Sequence, residues 1–446
     1  MNFNLNTFGI LLVMFIGIGS LQAQDKLSLE QAVTDALTQN YGIRIARMNT
    51  EATTIDAYKG NAGLLPTVTL DGNGSYNRTD GSIVFQQFGP DGAPVQETFD
   101  INGNESQQYT IGATVNYTLF NGFANQTNYQ ILLRNVDLSE AQTRATVEAN
   151  IAQVVNAYYL LARNTNTLRI RKETLDRSKA RLEYAQNQAE FGATSKLNVL
   201  NAEVDFNTDS INVVNAELDI VNARKDLNLL LGRDIEDFYA VDTTVTINSD
   251  YQLGQLQDAA LSENPQLQTA RMSQNISELQ IKLAKSGYYP RVNLNAGYSY
   301  TYSANPASQT PEIQTYGPTA GGGISFNLWN ANRTNRSVQK AQVSLAASRM
   351  QVKEQEQMLL RDLSKAYATY RNNMNVLELS YKSQEAATAN FERTAEAFKL
   401  GQATNLQFRE AQLNLLSIEN QLNDLQYIVK ASEAEMLRLS GLLVQD

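Results

Sequence analysis

No cysteine and no histidine occur in the 446 residues, and there is one tryptophan, 8 prolines and only 18% charged residues. Without cysteine there is no disulfide, no thiolate metal site and no lipidated N-terminal cysteine, which suits an oxidising, disulfide-free envelope compartment. Without histidine the chain lacks the commonest general base and the commonest metal ligand, so no catalytic constellation, metal site or cofactor is expected. Basic runs are missing too, and with a net charge of −10 the chain is a poor partner for nucleic acid. The one apolar run, Phe8 to Ile18, is 11 residues long and is followed by Leu21-Gln22-Ala23. That pattern predicts a secretory signal over 1–23, although its start carries no Lys or Arg. No later window of 18 apolar residues exists, which excludes a helical inner-membrane protein. Gly321-Gly322-Gly323 lacks the Lys and Ser/Thr that complete a phosphate loop, and reads as tight strand packing.

Scarce proline leaves room for long helices, and the pattern fills it. A helical stretch ends at Phe191-Gly192, a polar turn follows, and a new helix starts near Leu197. From there Ala202, Phe206, Asp209, Val213, Ala216, Ile220, Ala223, Leu227 and Leu230 step alternately by four and three, the seam of a coiled coil. The same object returns 209 residues later, with Leu400-Gly401 at the turn and Ala411, Leu415, Ile418, Leu422, Leu425, Val429, Ser432, Met436 and Leu439 on the seam. A tandem duplication follows: 24–232 as the first repeat, 233–254 as an equatorial connector and 255–446 as the second repeat.

In chain order, Ser28-Leu29-Glu30-Gln31 has the form of a capping box, and helical spacing then runs to about Ala62, predicting a first helix of about 35 residues. After Leu65-Pro66 the period changes to 2, with Val68, Leu70 and Tyr76 alternating with polar residues. A Gly/Asp/Asn/Pro-rich loop is expected from Arg78 to about Gln107, and a second strand follows with Tyr109, Ile111, Val115, Tyr117 and Leu119 on one face. From Asn125 to Glu190 the helical period returns, with Val147, Val154, Leu161, Leu168, Leu175, Leu182 and Ala189 seven apart. At 1.5 Å per residue such a helix is about 100 Å long, too long for a globular core. The second half repeats the plan: a helix over 255–286, Tyr289-Pro290 opening a ribbon, a last strand ending Ile324, Phe326, Leu328, and a second rod from about Arg336 to Lys399. By length, helix 197–231 stacked end to end on helix 255–286 would match one rod, as would 405–441 on 28–62. The connector is strand-like around Val241 to Ile247, and the equivalent Tyr158 and Tyr367 are expected to pack between rods.

Each strand is predicted at about 10 residues with one apolar and one polar face, as in transmembrane β-barrels. Four strands close no barrel alone, and lipid tolerates no unpaired edge, so the chain is expected to oligomerise. A soluble periplasmic coiled-coil scaffold is the competing reading.

This order of elements resembles the TolC-type outer-membrane efflux channel family. The likeness rests on the paired turns Gly192/Leu197/Ala202 and Gly401/Leu406/Ala411 and on Pro66 and Pro290, which open the two ribbons. It implies a homotrimer, with a 12-stranded barrel in outer-membrane lipid of a Gram-negative bacterium continuous with a 12-helix periplasmic tube. It further implies a passive conduit opened by a periplasmic adaptor (membrane fusion) protein and an inner-membrane efflux pump or ABC exporter. The resemblance places the adaptor-contacting tip at Phe191, Gly192, Leu197, Ala202, Leu400, Gly401, Leu406 and Ala411. Acidic rings at the lumen constriction fall on Gln407 and Glu410, of which only the second is acidic. The tyrosine and arginine that latch some members shut fall on Phe398 and Gln402, so that latch is missing.

Overall fold

The computed structural model describes residues 26–248, 250–306, 308 and 310–443; the signal expected over 1–23 lies outside them. In order, the elements are β1 (Lys26–Leu27), α1 (Leu29–Gln39), α2 (Tyr41–Asp56), β2 (Thr67–Phe88), β3 (Pro94–Phe120), α3 (Ala124–Glu190), α4 (Lys196–Leu231) and β4 (Ala240–Val241). Then come α5 (Leu253–Glu263), α6 (Pro265–Lys285), β5 (Arg291–Ala304), β6 (Glu312–Ser325), α7 (Arg333–Lys399) and α8 (Asn405–Ser440). The long helices α3 and α7 have 67 residues each, within three residues of the spans their spacing predicts. The described residues form two compact units, one within 26–41, 150–248 and 369–434, the other within 42–149, 250–368 and 435–443.

In the first unit the α4 seam is buried at Ala202, Asp209, Val213, Ala216, Ile220, Ala223 and Leu227, as the four-three spacing requires. The sevenfold run on α3 differs. Val154 and Leu161 are buried, but towards the turn Leu168, Leu175 and Leu182 are half-buried, and the enclosed stripe is Ile170, Thr174, Ser178, Arg181 and Ala185. A helix flanked by two neighbours needs two seams, and here α3 contacts α4 on one side and α8 on the other. The expected connector strand shrinks to Ala240–Val241, paired in parallel with Lys26–Leu27. Tyr158 holds that pair: its hydroxyl donates to Leu27 O at 2.9 Å and accepts from Asp242 N at 3.1 Å. Nearby, burial pushes the Tyr159 and Tyr427 phenols up to about 12.

The expected 35-residue first helix is broken, and so is its counterpart over 255–286. Asn40 leaves the helical region (φ −56°, ψ 127°), and Asn264 does the same (φ −61°, ψ 120°) just before Pro265. Each asparagine then donates from Nδ2 to the end of a later helix, Asn40 to Leu230 O at 2.7 Å and Asn264 to Leu439 O at 3.0 Å. These bonds satisfy carbonyls that a helix C-terminus leaves orphaned. They also correct the stacking expected from length: α4 ends against the break in its own half, not against helix 255–286, and α8 likewise meets the α5/α6 break.

In the second unit β2, β3, β5 and β6 form one antiparallel sheet in that order, opened by Pro66 and Pro290 immediately before β2 and β5. Proline drives its predecessor into the extended region, and Tyr289 sits at φ −108°, ψ 156°. The strands are 22, 27, 14 and 14 residues long rather than about 10. Most of the stretch expected to be loop, 78–107, is paired strand, because β2 and β3 stay paired, through one bulge at Thr79/Gly81, up to Phe88↔Pro94. The last strand ends at Ser325, short of Phe326 and Leu328. Tyr367 is half-buried, and its hydroxyl donates to Tyr251 O at 3.3 Å, which anchors the chain entering α5.

Candidate functional site

The two helix-reversing turns lie in the first unit and have the same construction. At the first, Gly192 N donates to Ala189 O at 3.0 Å and Ala193 N to Gln188 O at 2.7 Å; at the second, Gly401 N donates to Phe398 O at 3.0 Å and Gln402 N to Ala397 O at 2.8 Å. Both are Schellman C-caps with glycine in the left-handed region, φ 73° and 72°. A Cβ on either glycine would meet nothing within 4 Å, so the requirement for glycine is one of backbone angle alone. Large side chains point into solvent around them, with Phe191 at 85%, Leu197 at 65%, Leu400 at 71% and Leu406 at 76% exposed. Ala202 and Ala411 do not join this surface. They are 0% and 6% exposed, seam residues of the hairpins, which corrects their expected place among the adaptor-contacting residues.

Gln407 and Glu410 line the same polar groove but are held differently. Thr404 caps α8: its Oγ1 accepts from Gln407 N at 3.2 Å, while Gln407 Oε1 accepts from Thr404 N at 2.8 Å. This reciprocal capping box commits the Gln407 carboxamide to the helix end. Glu410 is exposed and lines a polar groove of about 770 Å³ between α7 and α8, with Arg393, Gln402 and Asn414 among its walls.

Behind the turns sits a buried ionic network that the pattern alone does not reveal. Arg409 Nη1 on α8 reaches Asp209 Oδ2 on α4 at 2.8 Å, and its Nε lies 3.4 Å from Asp205 Oδ1. Arg181 of α3 completes the set with a second ion pair to Asp205. Ser178 Oγ donates to Asp209 at 2.5 Å and accepts from Gln412 Nε2 at 2.9 Å. The side chains of Arg181, Arg409 and Asp209 are 1%, 12% and 4% exposed, so these charges depend on one another rather than on water. Lower on α8, burial raises the Glu419 carboxyl and Arg177 partly offsets it. Next to the network, Phe398 packs on Phe408 with ring centroids 4.9 Å apart and on Tyr184 at 5.1 Å, and Phe391 lies 5.5 Å from Phe408. The residue standing where a latch tyrosine would be is therefore an apolar packing group. Asp209, the only polar residue among nine on its seam, was the single sequence signal of this network; Arg409 gave none.

The sheet supplies the other functional surface. One face exposes Val68 (70%), Leu70 (75%), Ile111 (54%), Tyr298 (54%) and Ile324 (77%), and among the described residues β2 and β6 each leave one edge unpaired. An apolar face of this extent marks an interaction with lipid or protein.

A family model described as outer membrane efflux protein matches residues 32–233 and 256–442. The chain belongs to the outer membrane efflux protein family. Outer membrane protein TolC of Vibrio cholerae is 22% identical over 68% of this chain and 70% of its own length. The probable efflux pump outer membrane protein TtgC of Pseudomonas putida is 22% identical over 89% of this chain and 79% of its own. Among solved structures, the Campylobacter jejuni CmeC outer membrane channel superposes with a TM-score of 0.73 at 15% identity, covering 93% of this chain and 86% of that one. Family and fold agree, and this member is an outer-membrane channel subunit of an efflux or secretion system.

Proposed function

We propose that three copies of this chain close a 12-stranded barrel in the outer membrane and serve as a passive conduit from periplasm to exterior. The single observation that carries this reading is a four-stranded sheet with an exposed apolar face and two free edges. In lipid those edges must pair, and joining β6 of one copy to β2 of the next satisfies all of them in a closed ring. A soluble scaffold would leave the same face in water. A second free stripe supports association of copies: Leu197, Leu200, Val204, Ile211, Val214, Leu218 and Val221 of α4 keep coiled-coil spacing on the side away from its buried seam, each at least 42% exposed.

The duplicated plan, 24–232 and 255–446 around the connector 233–254, gives a trimer twelve helical strands from six equivalent units. In the tripartite or type I system this reading describes, an inner-membrane efflux pump or ABC exporter delivers cargo, and a periplasmic adaptor grips the exposed tip residues Phe191, Leu197, Leu400 and Leu406. Glu410 forms an acidic ring at the narrow end. A conduit makes and breaks no bonds, so the reading assigns no catalytic residue, metal or cofactor. Light scattering of detergent-purified protein with currents in a planar bilayer is the test. A particle of three chains that conducts is expected, and a water-soluble single chain would overturn the proposal.

A further inference from the structure

The first ribbon is far taller than the second, and its inward face changes character part-way up. β3 pairs with β5 only from Gln107 to Phe120, so residues 94–106 pair with β2 alone. That free hairpin rises about 40 Å at ~3.4 Å per residue. Below it, the polar face carries Thr69, Asp71, Asn73 and Ser75 of β2 opposite Thr114, Gly112, Thr110 and Gln108 of β3. This is the face that turns to the bore when the apolar one meets lipid.

Between Thr79 and Gly81 the register slips by one, because β3 advances from Asn104 to Ile101 while β2 advances two residues. Gly103 sits in this bulge at φ 65°, and its N–H donates to the Asp80 carboxylate. A one-residue slip transfers every later side chain of that strand to the opposite face. Odd-numbered residues of β3, Tyr109, Ile111 and Val115, lie on the lipid side below the bulge. Above it, odd-numbered Ile101, Phe99, Glu97 and Val95 stand opposite Gly81, Ile83, Phe85 and Gln87, on the continuation of the bore face. The bore side thus switches from polar to apolar: Ile83, Phe85, Val95 and Phe99 are 45–53% exposed, and the Phe85 and Phe99 rings meet edge to face at 5.6 Å. Glu97 is the one charge on it.

Resting on the trimeric reading above, we propose that the ribbons of the three copies lean together by these apolar stripes and form a hydrophobic collar that constricts the exit. The occupant of each stripe is the same stripe on the other copies, because the stripe continues the face that all copies turn to the common axis. Twelve strands ~4.8 Å apart and tilted ~40° give a backbone radius of about 12 Å, so neighbouring ribbons start about 20 Å apart at the rim. Facing sheets pack at about 10 Å, and a 40 Å ribbon closes that gap with a modest lean. Hydrophobic constrictions of this kind gate by dewetting.

The chain has no cysteine, so single thiols are clean probes. Phe99→Cys on the collar side and Thr98→Cys on the other face are treated with a bismaleimide spanning about 10 Å, the sheet-packing distance. Phe99→Cys should give a cross-linked pair of chains and Thr98→Cys none, and the Phe85→Ser/Phe99→Ser double variant should raise single-channel conductance about twofold or more. Equal cross-linking at both positions, or unchanged conductance, in a particle whose mass is three chains overturns the collar and leaves the channel standing. A particle of one chain overturns both.

Discussion

Arg409 holds two carboxylates, Asp205 and Asp209, in a place where water cannot replace it. Removing it leaves Asp209 with Ser178 as its remaining partner, an uncompensated buried charge. Arg409→Met should therefore cost about 3 kcal/mol, seen as a lower unfolding midpoint of the helical circular-dichroism signal. Arg409→Met/Asp209→Leu should recover much of the loss, since a well-packed apolar pair of similar volume is often neutral where a broken ion pair is not. A double variant no better than the single one would show that the arginine stem, not its charge, carries the stability. Half of this network was legible in the sequence. Asp209 stood out as the lone acid on an apolar seam, but nothing in one sequence ties it to a residue 200 positions away. Arg409 is flanked by Phe408 and Glu410, and reads there as an ordinary solvated helix residue.

Among the elements, those fixed by a long-running period were the most legible: α3 begins one residue from its expected start, and both reversing turns fall on their glycines. Breaks that depend on a side chain bonding elsewhere were not. Asn40 sits in a helical pattern that continues on both sides, and its departure from the helix is stabilised by a carbonyl of α4. The upper ribbon was hidden differently. Its Gly, Asp and Asn content reads as loop, and its apolar residues change face at the bulge, so no single alternation runs through it. At the turns, each glycine occupies φ above 70° with open space around it. Gly192→Val with Gly401→Val should thus cost on the order of 1 kcal/mol per site in backbone strain without a clash. Trimers should still reach the membrane while export fails, as measured by drug susceptibility beside membrane trimer content. Full resistance in the double variant would separate the turns from adaptor coupling.

For the whole molecule, composition and symmetry argue together. A net charge of −10 per chain makes the assembled conduit acidic, and three copies of Glu410 would stand near one axis at its narrow end. Gln407, tied into the α8 cap, adds no charge to that ring. Like charges held around a partly water-filled bore reinforce each other's field, so the channel should prefer cations and be blocked by a small trivalent one. One ring should give weaker block than two. Bilayer conductance with and without Glu410→Gln measures this, the variant being expected to lose most of the block and part of the cation preference. Arg393 shares the groove with Glu410 and supplies the control, because Arg393→Gln removes a cation from the same walls and should strengthen the block instead. If Glu410→Gln leaves both selectivity and block untouched, Glu410 faces outward from the tube, and the acidic character of the bore must come from other carboxylates.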